Sequence, residues 1–150
     1  MTACLLAVVL ALFQLPSVKH LVVVSSSNTN TAAAGSRISL YVDVTPNPGI
    51  HVYAPGAKGY LPIGLKMDAM RDVTAGALSY PRSQTLIFEG QKIPVYDKPF
   101  RLAQQVTLNR SLKAGETVTL TGAVNYQACT DQVCFIPATT PVRWTVSVSR

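Results

Sequence analysis

Charge is scarce in this chain: Asp, Glu, Lys and Arg together make up 13% of its 150 residues, with 7 acids against 13 bases. The bases stand singly, from Lys19 through Arg71 and Lys98 to Arg150. None of them builds a stripe that could follow a phosphate backbone, which argues against nucleic acid as a partner. The net charge of +6 reads as the solubilising surface of a secreted domain. Histidine is rarer still, at His20 and His51, and the cysteines are Cys4, Cys129 and Cys134. Beyond the Cys129/Cys134 pair these offer no recognisable ligand spacing, and a closed zinc site needs four ligands, so no metal is expected. A G-x-S-x-G elbow and a Gly-rich phosphate loop are both missing, and no small-molecule cofactor is expected.

What is abundant narrows the class further. Apolar residues reach 48%, too many for a disordered chain. With them come 10 prolines and 9 glycines, which interrupt the chain too often for long helices. One domain is expected at this length, large enough to bury a core. Residues 2–15 (TACLLAVVLALFQL) carry no charge. They are too short for an ordinary membrane span and suit the apolar core of an export signal. The expected division is therefore residues 1–16 as a truncated signal or apolar segment and residues 18–150 as the folded domain. The basic lead-in and the small-residue cleavage site are missing, so Met1 reads as an internal start. Cys4 precedes the apolar run instead of following it, which excludes a lipoprotein anchor.

From residue 18 the period is two. In residues 36–45, Ile38, Leu40, Val42 and Val44 alternate with Ser39, Tyr41, Asp43 and Thr45. Residues 117–126 and 141–149 repeat the pattern, the last setting Val142, Trp144, Val146 and Val148 against polar neighbours. Such alternation buries one face of a strand and wets the other. Shorter strands are expected at 21–25, 50–53, 63–67, 85–88 and 100–108. Turn chemistry at Pro46-Asn47-Pro48-Gly49, Pro55-Gly56, Glu89-Gly90 and Lys113-Ala114-Gly115-Glu116 separates them. Residues 25–35, small and polar, read as a mobile loop between the first two strands. Some eight short strands with this spacing predict an all-β sandwich.

The chemistry concentrates in residues 126–137, YQACTDQVCFIP. Cys129 follows directly on a strand, and four residues separate it from Cys134. Joining them closes a six-residue ring, which chain entropy values at about 2 kcal/mol, near the low end for a disulfide. Such a ring is a poor staple, because it ties residues that are already neighbours. It is a good switch, because the two thiols stay close when reduced. A structural hairpin disulfide and a redox pair remain open on this ground alone. His51, in a strand beside Tyr53, reads as an ordinary half-buried strand histidine.

These residues resemble a known family, the N-terminal periplasmic domain of the thiol:disulfide interchange protein DsbD. The resemblance runs over roughly residues 36–148. Its landmarks are Gly49-Ile50-His51-Val52-Tyr53, Tyr60-Leu61-Pro62, Tyr80-Pro81, Phe88-Glu89-Gly90 and Val95-Tyr96. The most specific is Tyr126-Gln127-Ala128-Cys129 followed by Cys134 and Pro137. The resemblance implies an immunoglobulin-like antiparallel β-sandwich in the periplasm or another extracytoplasmic space. It implies that Cys129 and Cys134 take electrons from a membrane-embedded or thioredoxin-like donor. They would pass them to oxidised partners such as disulfide isomerases or cytochrome-maturation thioredoxins, the domain acting as a monomer. It assigns Phe88 to a cap loop that shields the pair, with Gly90 as its hinge. Tyr53, His51, Tyr126 and Asp131 would surround the pair.

Departures from the family pattern are specific. The best-known enterobacterial domain has five residues between its cysteines, whereas four stand here. The residues before its cap aromatic are acidic, whereas Leu86 and Ile87 are apolar. The chain stops at Arg150 with no electron-transfer or thioredoxin domain after it, so the donor is expected to be a separate protein or the chain a piece of a longer one.

Chemistry adds a direction. No Lys, Arg or His lies within four residues of either cysteine, and Asp131 lies between them. A carboxylate and apolar neighbours (Val133, Phe135, Ile136) disfavour a thiolate. The pair is thus suited to being attacked while oxidised, as a shielded relay is. Which sulfur a partner attacks is contested. A strand-held Cys129 with Cys134 as the freer leaving group favours attack on Cys129, whereas the resemblance implies a mixed disulfide on Cys134. The competing reading is a non-catalytic immunoglobulin-like binding module whose hairpin disulfide is structural.

The small worth of the ring makes a prediction. Replacing Cys129 and Cys134 together by Ala should abolish thiol–disulfide exchange and leave a folded β-domain by circular dichroism. A double variant that is recovered only unfolded would make the disulfide structural.

Overall fold

A computed structural model of the chain describes residues 19–150. The expected apolar segment, with Cys4, lies outside the described residues. Within them the fold is all-β: strands form three four-stranded sheets, and no helix occurs among the described residues.

The first sheet orders β1 (Leu21–Ser27), β3 (Arg37–Pro46), β9 (Phe100–Leu108) and β6 (Val73–Ser79). The second orders β2 (Thr31–Ala33), β12 (Ala138–Ser149), β10 (Thr117–Tyr126) and β5 (Gly64–Met67). The period-two residues of β3, β10 and β12 face one another across these sheets. Leu40, Val42, Val44, Leu120, Val124 and Val146 are all sealed from solvent. This is the immunoglobulin-like sandwich. Trp144 of β12 packs in the core, and its Nε1 donates across the sandwich to the carbonyl of Tyr41 on β3 (3.1 Å). That bond answers the one polar atom the indole brings into the core.

The third sheet is smaller and carries the cysteines. It orders β11 (Ala128–Cys129), β4 (His51–Tyr53), β8 (Gln91–Tyr96) and β7 (Gln84–Phe88). The chain leaves the second sheet at Tyr126 and enters the third at Ala128, so the strand preceding Cys129 changes partners within two residues.

Three features differ from the sequence reading. Residues 25–35 are not a loop: β1 continues to Ser27, and β2 pairs in parallel with the end of β12, Thr31 opposite Ser147. Small polar side chains suit this segment because it crosses from an edge of one sheet to an edge of the other, with Asn28 N–H donating to the Ser39 carbonyl. β6 escapes a period-two search because its register slips between Ala75 and Leu78. Buried Gln104 holds that bulge, its side-chain amide donating to the carbonyl of Gly76 (2.9 Å). β8 is masked by Pro94, which ordinarily argues against an inner strand.

Gly122 of β10 marks the tightest approach in the second sheet. A Cβ built there would lie 2.7 Å from the Lys66 carbonyl oxygen of β5. Gly122→Ala should therefore push β5 outward and cost about 1–3 kcal/mol, read as a lowered urea midpoint; an unchanged midpoint would mean that β5 yields freely.

Candidate functional site

The site grows from two short pairings. Val52 and Tyr53 pair with Tyr96 and Val95 of β8, while His51 and Val52 pair with Cys129 and Ala128 of β11. Because side chains alternate along β4, Val52 enters the main core, whereas His51 and Tyr53 turn to the other face. Cys129 joins that face, in a second cluster with Tyr53, Ala57, Ile93 and Val95.

Beyond Cys129 the chain makes a tight turn. Thr130 N–H donates to the Val133 carbonyl (2.8 Å), and the Thr130 hydroxyl accepts from the backbone of Gln132 and Val133 (3.2 and 3.1 Å). Phe135 N–H donates to the Ala128 carbonyl (2.9 Å), and the Gln127 side chain donates to the Phe135 carbonyl (3.1 Å). His20 stacks on Phe135 with ring centroids 3.8 Å apart. These contacts bring Cys134 back beside Cys129, and the two form a disulfide with Cα atoms 4.0 Å apart. None of the hydrogen bonds uses sulfur, so the turn has its own support when the ring opens.

The two sulfurs differ in access. Cys129 is 0% exposed, while Cys134 is exposed at the wall of a groove of about 330 Å³. Groove walls include His51, Tyr53, Tyr60, Phe88 and Asp131. The Tyr53 hydroxyl stands 3.6 Å from Cys134 Sγ, and the Tyr53 ring stacks on Tyr60 with centroids 4.1 Å apart. Burial, then the neighbouring Tyr60, pushes the Tyr53 hydroxyl above the usual tyrosine range. It therefore stays protonated, a donor. Burial holds His51 below the usual histidine range, against the opposing pull of the Asp131 and Asp97 carboxylates.

Most of the residues singled out from the sequence come together here, with two qualifications. Tyr126 lies in the main core and does not line the groove. Gly90 occupies the tip of a β-hairpin, where Glu89 and Gly90 both take positive φ (48° and 77°). The hairpin is laddered out to Phe88 opposite Gln91, so the segment expected as a cap loop is a two-stranded ribbon. Phe88 is 45% exposed and lines the same groove as Cys134. Tyr60, Ile93 and Leu86 complete the site; the sequence marks Tyr60 only as a family landmark and Leu86 only as a departure from the family pattern, and Ile93 carries no signal beyond apolar character. His51, which the family resemblance set around the pair, stands opposite Cys129 on another strand; residues neighbouring the cysteines in sequence carry no signal of that pairing. Among the described residues, no three of His, Cys, Asp and Glu gather to hold a metal ion.

An immunoglobulin-like sandwich with a half-accessible disulfide on a groove defines a domain of the thiol–disulfide interchange class. The family described as "Thiol:disulfide interchange protein DsbD, N-terminal" matches residues 19–145, and the chain belongs to it. Among solved structures, the N-terminal periplasmic domain of ScsB from Proteus mirabilis is similar, with a TM-score of 0.58 and 14% identity over 90% of this chain. The chain spans 49% of that protein's length. The Neisseria meningitidis DsbD N-terminal domain in its reduced form matches with a TM-score of 0.50 and 17% identity, over 76% of this chain and 82% of that one. At such identities these likenesses speak for the fold. No curated protein matches by sequence.

The groove geometry predicts a rate. Phe88→Ala should speed reduction of the disulfide by dithiothreitol about two- to tenfold, since access limits exchange, with little change in stability. Stopped-flow rates equal to wild type would show that Phe88 does not gate the site.

Proposed function

We propose that the domain is a periplasmic thiol–disulfide relay, an oxidoreductase module of the protein-disulfide reductase type that works through Cys129 and Cys134. The observation that carries this reading is the asymmetry of the disulfide: one sulfur sealed in a sheet, the other exposed on an apolar groove, both on a turn that does not need the bond. A structural staple has no use for that arrangement. The two-electron chemistry follows from it. A donor thiolate attacks Cys134 Sγ in line with the S–S bond, a mixed disulfide forms, and the electron pair of the broken bond stays on Cys129. The donor's second thiolate then attacks the donor sulfur and leaves Cys134 as a thiolate. In the second half Cys134 attacks the acceptor's disulfide and Cys129 resolves the mixed disulfide, restoring the bond and releasing the acceptor as a dithiol.

Access selects Cys134. The leaving-group argument for attack on Cys129 loses its force once that sulfur is sealed from any partner. The Tyr53 hydroxyl, a protonated donor beside Cys134 Sγ, stabilises the Cys134 thiolate by a hydrogen bond. The groove and its exposed apolar rim at Ile87, Phe88 and Val133 suit a protein partner. The family points to thioredoxin-like proteins and a membrane electron-transfer protein, cytochrome-maturation thioredoxins among the acceptors. The Phe88 ribbon acts as the cap, with Gly90 serving the turn at its tip.

Trapping tests the reading. Each single-cysteine variant is mixed with a thioredoxin-like protein whose first active-site cysteine is activated as a mixed disulfide. The Cys129→Ala variant, which keeps Cys134, should form the complex at least about tenfold faster than Cys134→Ala. Faster capture by Cys134→Ala would overturn the assignment of Cys134, and no capture by either would overturn the relay.

A further inference from the structure

The relay leaves one chemical demand unmet. Cys129 must lose a proton before it can attack Cys134 Sγ, yet it is 0% exposed and cannot pass that proton to bulk water. A buried thiol in apolar company also resists ionisation. A base is needed inside the fold.

His51 stands directly opposite Cys129 in the antiparallel ladder. Cross-strand partners on one face hold their Cβ atoms roughly 4.5–5.5 Å apart, so the two side chains are neighbours. His51 is 5% exposed, and its Nε2 is buried without a hydrogen-bond partner among the described residues. Such an orphan is costly and calls for a reason. In a chain with histidines at two positions, one of them is sealed beside the sulfur that needs a base.

We propose that His51 Nε2 is the proton acceptor for Cys129, a role that rests on the relay reading. As Cys129 Sγ attacks Cys134 Sγ in a mixed disulfide, its thiol proton moves to Nε2. The new Cys129–Cys134 bond forms, and the partner sulfur leaves with the electron pair. In reverse, Nε2–H returns the proton to the Cys129 thiolate released by attack on Cys134. Burial keeps His51 neutral, the basic form, near neutral pH. The titratable groups facing the same space are Tyr53 on β4, Tyr60 after it, Asp97 beyond β8 and Asp131 in the turn. Both carboxylates raise the affinity of His51 for a proton and Tyr53 is the donor to Cys134; of these groups, His51 is the one that stands opposite Cys129 in the ladder.

Ellman's reagent isolates the step. With reduced protein, exposed Cys134 takes up one aryl thiol and releases another; Cys129 then attacks Cys134 Sγ and releases the second. The first release reports access to Cys134, and the second reports Cys129. In wild type the second release should rise with pH along a limb set by His51, followed from about pH 5 to 9. His51→Gln keeps size and polarity but cannot accept the proton. It should slow the second release at neutral pH at least about tenfold and move the limb up to the alkaline range of a thiol.

Asp131→Asn, at an exposed position, guards against a His51 variant that does not fold. Removing that carboxylate lowers the proton affinity of His51, so the limb should shift to lower pH. A purely structural His51 would instead leave the limb in the alkaline range of a thiol, in wild type and Asp131→Asn alike. The proposal is overturned if folded His51→Gln releases the second thiol within about twofold of wild type, if the wild-type limb already lies in the alkaline range of a thiol, or if Asp131→Asn leaves the limb unmoved. These readouts use a small reagent, so a domain that fails to exchange with protein partners refutes the relay without touching the His51 result.

Discussion

The site depends on a pairing two residues long. Ala128 and Cys129 form β11 against Val52 and His51, and everything chemical hangs on that contact. It seals Cys129, sets His51 across from it, and starts the turn that returns Cys134. Ala128 is wholly buried in the main core, so the strand is anchored from one face by the sandwich while its next residue serves the groove. A one-residue slip would turn Cys129 into the core and Ala128 toward the groove. Register here is guarded by the bonds from Phe135 N–H to Ala128 and from Gln127 to Phe135. The sandwich thus acts as a rigid mount for a small redox appendage.

Much of this was legible in the chain, and the legible part follows a rule. β3, β10 and β12 have one wet and one dry face, so their period of two declares them. The cysteine spacing, the strand before Cys129 and the turn before Cys134 were readable for the same local reason. What local patterns do not carry is partner identity. β2 is too short to show a period and exists because β12 offers it an edge. β8 carries a proline and β6 a bulge, so tertiary pairing overrides their poor strand signals. His51 looked like an ordinary half-buried strand histidine because its neighbour Cys129 is remote in sequence. No Lys, Arg or His stands near the cysteines along the chain, but His51 stands opposite Cys129 across the ladder.

The same pairing explains how a relay avoids two opposite failures. A disulfide open on both sides would exchange with any thiol, and one buried on both sides would exchange with none. Here the sulfurs divide the work by exposure. In the proposed relay Cys134 meets the partner, and Cys129 is reached only through Cys134. The price of that protection is a buried thiol that resists giving up its proton, and burial alone would make resolution slow. A neutral imidazole in the same low-dielectric space changes the balance, because moving a proton between close neighbours separates far less charge than delivering it to solvent. Acidic residues near the pair, unfavourable to a thiolate by their charge, support the step through His51 by keeping its proton affinity from falling too far.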